Sequence, residues 1–394
     1  MARGALVEDS NYCFGEGGAG TFSDGKLYTR TKDRRAVAEV LRVLVVHGAD
    51  GSILVESRPH IGSNRLPKIL LALRAALEAQ GVSYLWNDPV VDIIPSEMGG
   101  RVAAVRLRSG AELVADAVVL AVGHSARPVY ELCARRGVAL EAKAFAVGAR
   151  IEHPQPLIDR AQYGRAAGHA ALPAAFYHVT AHVPAQVPAG GDRGVFSFCM
   201  CPGGWVVASA TETGGLCVNG MSLSRRDSPF ANSALVVSVE PRDFGGDGPL
   251  AGIAMQQRLE RLAFEAGGGG YVAPAQRVDD FLAGRSTDSP LRSSYLPGVA
   301  PARLDAVLPG FVTEALRKAL GRFGKMLPGF AGAEAQLVGV ETRTSAPVRI
   351  LRDPRSLQSP SMAGLYPAGE GAGYAGGIVS AAIDGLRIAD AILA

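Results

Sequence analysis

Glycines are concentrated near the carboxyl end of the chain, at a spacing that can bring backbone amides against an anionic or polar ligand. A short apolar run over 364–368 leads into Gly369, Gly371, Gly373, Gly376 and Gly377. Glycine has no Cβ, so it allows positive φ angles and a close approach of the backbone to a ligand. The residues that follow have apolar positions at helical spacing. The bend should therefore open into a helix whose N-terminal N–H groups and positive dipole end point at the same ligand.

A plainer interpretation of this bend stays open from the sequence: a glycine-rich turn that joins a strand to a terminal helix. Glu370 is the acid at the strand end, where its carboxylate could accept hydrogen bonds from ligand hydroxyls or face water as an ordinary turn residue. The apolar spacing from Ile378 to Leu393 predicts that the helix packs on other elements and is not a free tail.

Two segments match the pattern G-x-G-x-x-G, but neither has the setting of a dinucleotide-binding loop. The segment 15–20 lacks the strand before and the helix after that give the pattern its meaning. The segment 371–376 has a strand and a helix, but the sequence ends before a second strand could supply the ribose-binding acid. We therefore predict that the second segment is a cofactor loop of another kind.

Composition excludes several classes of function. The chain has 394 residues, of which 48% are hydrophobic and 20% charged, and its 40 basic and 37 acidic residues give a net charge of +3. It lacks the basic stripe of a nucleic-acid-binding protein, the apolar core of a signal peptide and any run near the ~18 apolar residues of a membrane helix. We expect a globular, cytoplasmic protein that acts on a small molecule, without a nucleic-acid partner or a membrane span. Its oligomeric state is left open.

The cysteines form an odd and sparse set, which argues against a disulfide framework: Cys13, Cys133, Cys199, Cys201 and Cys217. Cys199 and Cys201 form the one close pair. On a strand their thiols would share a face, which suits a metal or redox pair, but no histidine or second cysteine pair lies nearby to complete a tetrahedral site. Buried structural thiols are the preferred interpretation, and no metal site is predicted.

The predicted elements before residue 144 form a compact set. Residues 67–80 have a helical apolar period, with Pro67 in the first turn. Residues 82–94 are extended. Residues 101–123 are predicted to form a hairpin that ends in a buried apolar strand.

Beyond residue 144 the pattern changes to short β-like runs, loops rich in glycine, proline and aspartate, and a helix near 251–266. The simplest organisation is a β-rich second domain inserted into the first. The predicted parts are 1–143 and 333–394 for the first domain and 144–332 for the insert, in an α/β (α+β) fold.

Seven ordered segments carry a resemblance that covers the chain almost from end to end: 10–30, 58–69, 115–127, 197–207, 217–237, 340–353 and 364–385. Together they resemble a mostly uncharacterised bacterial family of FAD-dependent dehydrogenases (oxidoreductases) within the glutathione-reductase-like flavoproteins. The resemblance implies an FAD/NAD(P)-binding, Rossmann-like domain split around a substrate domain. It also implies FAD as the cofactor and hydride transfer between a small organic substrate and flavin. The sequence does not distinguish NAD(P)H, a quinone or oxygen as the molecule that exchanges electrons with the flavin in the other half of the reaction.

The same resemblance implies which residues contact the flavin. The segment Gly15–Asp24 would run along the cofactor toward the isoalloxazine ring, and the strand ending at Gly123 would be a second glycine motif. Gly369 and Glu370 would lie at the ribitol, where most relatives in the wider class carry aspartate. The start of the terminal helix would stabilise the negative charge of reduced flavin near N1 and O2 by roughly 0.3–2 kcal/mol. The implied cofactor-binding residues are Gly15, Glu16, Gly17, Gly18, Ala19, Gly20, Thr21, Ser23, Asp24, Gly123, His124, Gly369, Glu370, Gly373, Tyr374, Gly376, Gly377 and Ile378.

The chain departs from this family at its start. Such flavoproteins ordinarily begin with a strand, a glycine loop, a helix and a second strand ending in an acid, and no βαβ unit of roughly 30 residues or more precedes Ser10. We therefore expect an N-terminally truncated Rossmann-like domain in which the strand over 117–122 lacks a neighbour. Either the sequence is that of a shortened gene product, or FAD binding is weakened or lost. The alternative function is a non-catalytic remnant that binds a small molecule or a partner chain without FAD.

The sequence assigns no catalytic residue, but four basic residues inside the matched segments are candidates: Lys26, His60, Arg343 and Arg349. Arg343 and Arg349 could together hold an anionic substrate through bidentate hydrogen bonds. The other interpretation is that these arginines pair with Glu341 or Asp353 on a surface. His124 follows the strand over 117–122 and is expected to cap the turn there, not to transfer protons.

Overall fold

Helices and strands are interspersed along the described chain, which comprises residues 6–184 and 191–394 of a computed structural model. The helices are α1 (Gly18–Thr21), α2 (Arg34–Val46), α3 (Leu66–Ala79), α4 (Arg127–Arg135), α5 (Gln155–Tyr163), α6 (Ala251–Ala266), α7 (Val278–Ala283), α8 (Gly310–Met326) and α9 (Ile378–Leu393). The strands are β1 (Val90–Pro95), β2 (Val102–Leu107), β3 (Glu112–Val114), β4 (Val118–Leu120), β5 (Leu140–Ala142), β6 (Phe145–Pro154), β7 (Thr180–Val183), β8 (Arg193–Cys201), β9 (Gly204–Ala208), β10 (Val218–Ser222), β11 (Phe230–Val239), β12 (Ala273–Arg277), β13 (Val299–Pro301), β14 (Gln336–Glu341), β15 (Val348–Ile350) and β16 (Leu365–Pro367). This mixture confirms the predicted class of fold at a coarse level.

A seven-stranded sheet forms the centre of the β-rich part. Its order is β13-β12-β14-β6-β11-β8-β7, and the neighbours are antiparallel except for β12 and β13. The strands β6 and β11 are buried over almost their entire length. Helices α5 to α8 cover the sheet and enclose the main core with it. The predicted helix near 251–266 is α6 and is confirmed.

The limits of the β-rich part differ from the predicted ones at one end. β14 pairs with both β6 and β12 inside the large sheet, yet it lies beyond residue 332, where the insert was predicted to end. The division of the chain into three parts stays a prediction, and this pairing suggests a second boundary after β14.

Smaller sheets of two or three strands accompany the large one. β1, β2 and β3 form the predicted antiparallel hairpin with one added strand. β4 does not continue this meander but pairs in parallel with β16, and within the described ranges β16 is its one neighbour. Val119 in the middle of β4 is consequently 44% exposed. The prediction of a buried strand at this place is therefore wrong, because one side of β4 is uncovered.

A third core holds the terminal helix in place. Apolar residues of α2 and α3 pack with Val379 and Ile383 of α9. This contact confirms that α9 packs on other elements, and α3 confirms the helix predicted over 67–80. In the part of the chain that the structure describes, no helix combines the length and the apolar character needed to cross a bilayer.

Candidate functional site

The glycine-rich bend leads from β16 into α9, as the sequence predicts. Gly369 and Gly373 have φ angles of 67° and 84°, in the left-handed region that glycine adopts without strain. The Gly369 N–H donates a 2.7 Å hydrogen bond to the carboxylate of Asp384 on α9, and Arg352 pairs with the same carboxylate at 2.6 Å. Asp384 thus fixes the bend to the helix. Asp384 is not identified from the sequence as a structural residue. Its position next to Ile383, on the buried side of α9, could have indicated it.

Gly371 and Gly123 bring the two predicted glycine motifs into contact. A Cβ on Gly371 would lie 2.4 Å from the carbonyl oxygen of Gly123, so the two backbones approach more closely than a side chain permits. The Tyr130 hydroxyl donates a 2.7 Å hydrogen bond to the Gly371 carbonyl oxygen. The ends of β4 and β16 are therefore fixed side by side.

The segment Gly15–Asp24 contains a single helical turn, α1, where no helix was predicted. Gly17 and Gly18 have φ angles of 78° and 52°, and this pair of left-handed residues turns the chain into α1. Ser23 closes the turn through a 2.9 Å hydrogen bond from its hydroxyl to the Gly20 carbonyl oxygen.

This segment meets the start of α9. A Cβ on Gly20 would lie 3.3 Å from Cγ1 of Ile378, the first residue of the helix. No side chain caps the first turn of α9, and Gly376 and Gly377 before it are exposed. The first N–H groups of a helix have no acceptor inside the helix, so this end can receive an anionic or hydrogen-bond-accepting edge of a ligand.

Asp24 and Lys26 tie the same segment to the β-rich part. Asp24 is fully buried, pairs with Arg226 and lies 3.8 Å from Lys26 Nζ. Burial alone would raise the pKa of Asp24, but the charges of Lys26 and Arg226 outweigh burial and hold that pKa below its usual value. Lys26 also lies 3.5 Å from the sulfur of Cys199 and 3.8 Å from that of Cys201. The catalytic candidate Lys26 therefore faces two thiols.

His60 is the backbone neighbour of Lys26, with which it forms an isolated antiparallel bridge. Burial, together with the charge of Arg226, lowers the pKa of His60. Its Nε2 atom is buried without a hydrogen-bond partner among the described residues. His60 thus lies beside the Lys26 site with a lowered pKa, and its catalytic role stays a prediction.

Arg343 shares one buried carboxylate with a second arginine. Its guanidinium lies 2.9 and 2.7 Å from the two oxygens of Glu260, and Arg127 binds the same oxygens at 2.9 and 3.1 Å. All three side chains are at most 4% exposed. Burial alone would raise the pKa of Glu260, but the two arginines lower it. The alternative that Arg343 pairs with Glu341 or Asp353 on a surface is therefore wrong. A role of Arg343 in binding a substrate anion stays a prediction, although the guanidinium is already occupied by Glu260.

Arg349 binds a different carboxylate. It pairs with Glu141 at 2.6 Å and lies 5.6 Å from the ring centre of Tyr374 in the glycine-rich bend. Neither of the two acids suggested as a partner binds Arg349: Glu341 pairs with Arg150, and Asp353 accepts hydrogen bonds from the backbone N–H groups of residues 355 and 356. The two arginines are therefore held by separate acids and do not converge on a common anion.

His124 lies between the Gly123 motif and the Arg127–Glu260–Arg343 cluster. Burial and the charges of Arg343 and Arg127 lower the pKa of His124 to about 4. Its Nδ1 atom is 2.8 Å from the hydroxyl of Ser125. A ring that is neutral near pH 7 and bonded to the next residue fits the predicted role in the turn better than proton transfer.

Glu370 is the titratable group of the glycine-rich bend. Burial raises its pKa to about 7, while the charge of Lys143 opposes this rise and Cys199 adds to it. A carboxyl group with such a pKa is partly protonated near neutral pH. It can therefore donate as well as accept a hydrogen bond from a ligand in the bend.

Glu370→Gln is expected to stabilise the protein above about pH 7 and to leave it unchanged below about pH 4.5. The pKa of Glu370 is higher in the folded state than in the unfolded state, so the folded state holds more protons between these values and stability falls as pH rises. Glutamine removes this loss, which is on the order of 1–3 kcal/mol at alkaline pH. Thermal unfolding on both sides of the window measures the effect, with the exposed Glu39→Gln on α2 as control. If Glu370→Gln changed the unfolding temperature by the same amount above pH 7 and below pH 4.5, the result would contradict this prediction.

A cavity of about 830 Å³ lies beside the Gly15–Asp24 segment, at Phe22. Its lining is mainly apolar and includes residues of that segment, of the chain before it and of the β9–β10 hairpin: Val7, Tyr12, Phe22, Trp205, Val207 and Met221. A cavity of this size and character can hold a small organic molecule. The cavity is not predicted from the sequence, because its walls are distant along the chain.

Residues 144–344 match the family described as FAD-dependent protein, C-terminal domain-like. The chain belongs to this family. A Clostridium beijerinckii protein described only as uncharacterized is 46% identical over 392 residues, which cover 99% of this chain and 72% of that protein. The matched region includes β14, in agreement with its place in the large sheet.

Two solved structures show weaker likeness to this member of the FAD-dependent family. An oxidoreductase from Methanosarcina mazei has a TM-score of 0.34 and 12% identity, over 83% of this chain and 54% of that chain. CtdE, solved in complex with FAD and a substrate, has a TM-score of 0.32 and 11% identity, over 86% of this chain and 58% of that chain. Scores this low do not establish a shared fold. The chain spans little more than half the length of either protein.

The bend has open space and free backbone donors for part of a cofactor such as FAD. Added Cβ atoms at Gly376 and Gly377 would meet no atom within 4 Å. No side chain caps the first turn of α9, so its backbone N–H groups can donate hydrogen bonds to the edge of a ligand that occupies this space. The individual cofactor-binding residues implied by the resemblance stay predictions. Within residues 6–184 and 191–394, no group of three or more histidine, cysteine, aspartate or glutamate side chains is placed to hold a metal ion.

Proposed function

We propose that this chain is part of an FAD-dependent oxidoreductase that transfers a hydride between a small organic substrate and flavin. One observation carries the proposal: the segment Gly15–Asp24 meets both the open start of α9 and the apolar cavity. Gly20 lies against Ile378, and Phe22 lines the cavity. A flavin at the start of α9 and a molecule in the cavity would therefore both lie next to this short segment.

The chemistry of the bend supports the same proposal. When bound, FAD supplies the hydride acceptor, and the protein orients it and adjusts its electron affinity. The first N–H groups of α9 would stabilise negative charge on the reduced ring, and Glu370 would hold or release a proton near neutral pH. NAD(P)H as electron donor, a cytoplasmic location and a single small-molecule substrate belong to the proposal as predictions.

The first experiment is the visible absorbance of the purified chain with and without added FAD, after gel filtration to remove free flavin. Retained flavin bands would support the proposal. If the protein stays colourless after incubation with saturating FAD, the proposal is overturned for this chain. The alternative function, binding of a small molecule or a partner chain without FAD, would then be favoured.

A charge at the start of α9 gives a sharper test. Gly376→Glu places a carboxylate where the flavin edge would bind, and the space around this position is open. The acid is favourable for the helix dipole, so the variant should fold normally and yet bind FAD about tenfold or more weakly. Gly310→Glu makes the same change at the open first position of α8 and should leave FAD affinity unaltered. Equal affinities for the two variants would contradict the proposed flavin position.

A further inference from the structure

Cys199 and Cys201 lie at the end of β8, where the strand is distorted. Opposite β11, the register passes from Ala234 paired with Phe198 to Asn232 paired with Cys201, so two residues of β8 face one residue of β11. Cys199 is one of these two residues, and its φ angle of 47° lies in the left-handed region. Such a bulge redirects side chains at a sheet end. Here it turns the chain so that the Cys201 sulfur comes within 3.3 Å of the Cys199 carbonyl oxygen.

Two cations flank this pair of thiols. Lys26 Nζ lies 3.5 and 3.8 Å from the two sulfurs, and Arg150 lies 3.6 Å from the sulfur of Cys201. Arg150 also binds the Cys199 carbonyl oxygen at 2.5 Å and is held by Glu341 at 2.7 Å. The position of both positive charges is therefore fixed by several contacts.

The two thiols differ in charge and access. A hydrogen bond from Cys201 and the charges of Lys26 and Arg150 lower the pKa of Cys199 well below its usual value, although burial opposes this. The same hydrogen bond and burial raise the pKa of Cys201. Of the five cysteines, all of which are described, four are buried and Cys199 is partly exposed. The partly exposed sulfur is thus the one whose pKa is lowered, and the buried sulfur is the one whose pKa is raised.

We propose that Cys199 and Cys201 form a peroxide-reducing thiol pair, in which Cys199 attacks the peroxide and Cys201 resolves the product. Exposed thiolates next to a second thiol are the cysteines that peroxides oxidise reversibly. The partial burial of Cys199 favours a small oxidant over a bulky disulfide. This activity goes beyond the proposed flavin chemistry and needs no bound FAD.

The reaction balances in two steps. The Cys199 thiolate forms a bond to one peroxide oxygen, the O–O bond breaks, and the leaving alkoxide or hydroxide takes a proton from water beside the Lys26 charge. The Cys201 thiol then loses its proton to solvent and attacks the Cys199 sulfur. The S–S bond forms and hydroxide leaves as water. The peroxide gains two electrons, the two thiols lose them, and a low-molecular-weight dithiol restores the reduced pair.

The reactivity of Cys199 should depend on pH through the groups that face it. These groups come from the N-terminal segment, the β-rich part and the glycine-rich bend: Tyr12, Asp24, Lys26, Tyr28, Arg150, Cys201, Glu341 and Glu370. Lys26 is the cation of this set whose Nζ lies 3.5 Å from the Cys199 sulfur. It is a positioning residue, because it acts by keeping that sulfur ionised.

The test uses the reduced full chain without FAD, with hydrogen peroxide as the probe. One equivalent should consume two thiols and produce a Cys199–Cys201 disulfide, seen by peptide mass mapping and reversed by dithiothreitol. In Cys201→Ser, a sulfenic acid should persist on Cys199 and be trapped by dimedone. Cys199 should react about tenfold or more faster than the buried Cys217. Equal labelling of Cys199 and Cys217, or a faster reaction of Cys199 with oxidised glutathione, would overturn the proposal.

Lys26→Met separates this role from a merely structural one. The variant should slow the reaction of Cys199 near neutral pH and recover at alkaline pH, where the thiol ionises without the cation. Lys32→Met, at an exposed position, should keep the original pH profile. If Lys26→Met slowed the reaction of Cys199 with peroxide equally at all pH values, Lys26 would not act by keeping the Cys199 sulfur ionised. If that variant does not fold, the Cys201→Ser experiment still decides.

Discussion

Replacing Glu260 by alanine should lower the free energy of unfolding by about 3–5 kcal/mol. The substitution removes the carboxylate that Arg127 and Arg343 share and leaves two buried positive charges facing each other. Glu212 still binds Arg127 at 2.7 Å, but its side chain is 35% exposed and cannot replace the buried acid for both arginines. Urea-induced unfolding, followed by circular dichroism, measures the loss.

The matched control is Glu265→Ala, an exposed glutamate on the same helix, α6. It should change stability by less than about 0.5 kcal/mol. If Glu260→Ala does not fold, Glu260→Gln keeps the shape and one acceptor, and should show a smaller loss of the same sign. A loss in Glu260→Ala no larger than that in Glu265→Ala would mean that the cluster contributes nothing to stability.

Gly371→Ala should destabilise the protein by about 1–3 kcal/mol and weaken any ligand binding in the glycine-rich bend. The added methyl group would lie 2.4 Å from the Gly123 carbonyl oxygen and 2.8 Å from the Gly123 nitrogen. These atoms belong to the backbone and cannot rotate away, so the ends of β4 and β16 must separate. The unfolding temperature reports the first effect and an FAD titration the second.

Gly376→Ala is the control for stability within the same bend. Its added methyl group meets no atom within 4 Å. Its unfolding temperature should therefore stay close to that of the unmodified chain. If both variants lose the same stability, flexibility of the bend rather than the contact between Gly371 and Gly123 would be the cause.

The sequence predicts those parts of the fold that depend on neighbouring residues. Apolar periodicity predicts α3, α6 and α9, and glycine spacing predicts the bend before α9, because these signals are local. The partners of Arg343 and of β4 lie 83 and about 250 residues away along the chain, and no local pattern encodes such pairings. The cavity and the Lys26 contact with Cys199 depend on the same kind of distant packing.

The pairing of β4 with β16 also affects how the protein is made. β4 ends at Leu120, and its partner β16 begins at Leu365, so about 250 residues must be synthesised before the pair can form. At roughly 5–20 residues per second, β4 waits on the order of tens of seconds during translation. Its apolar residues are open to chaperones or to wrong partners for that time. Slow codons or depleted chaperones should therefore lower the yield of soluble protein. The free energy of unfolding of the molecules that do fold should be unchanged.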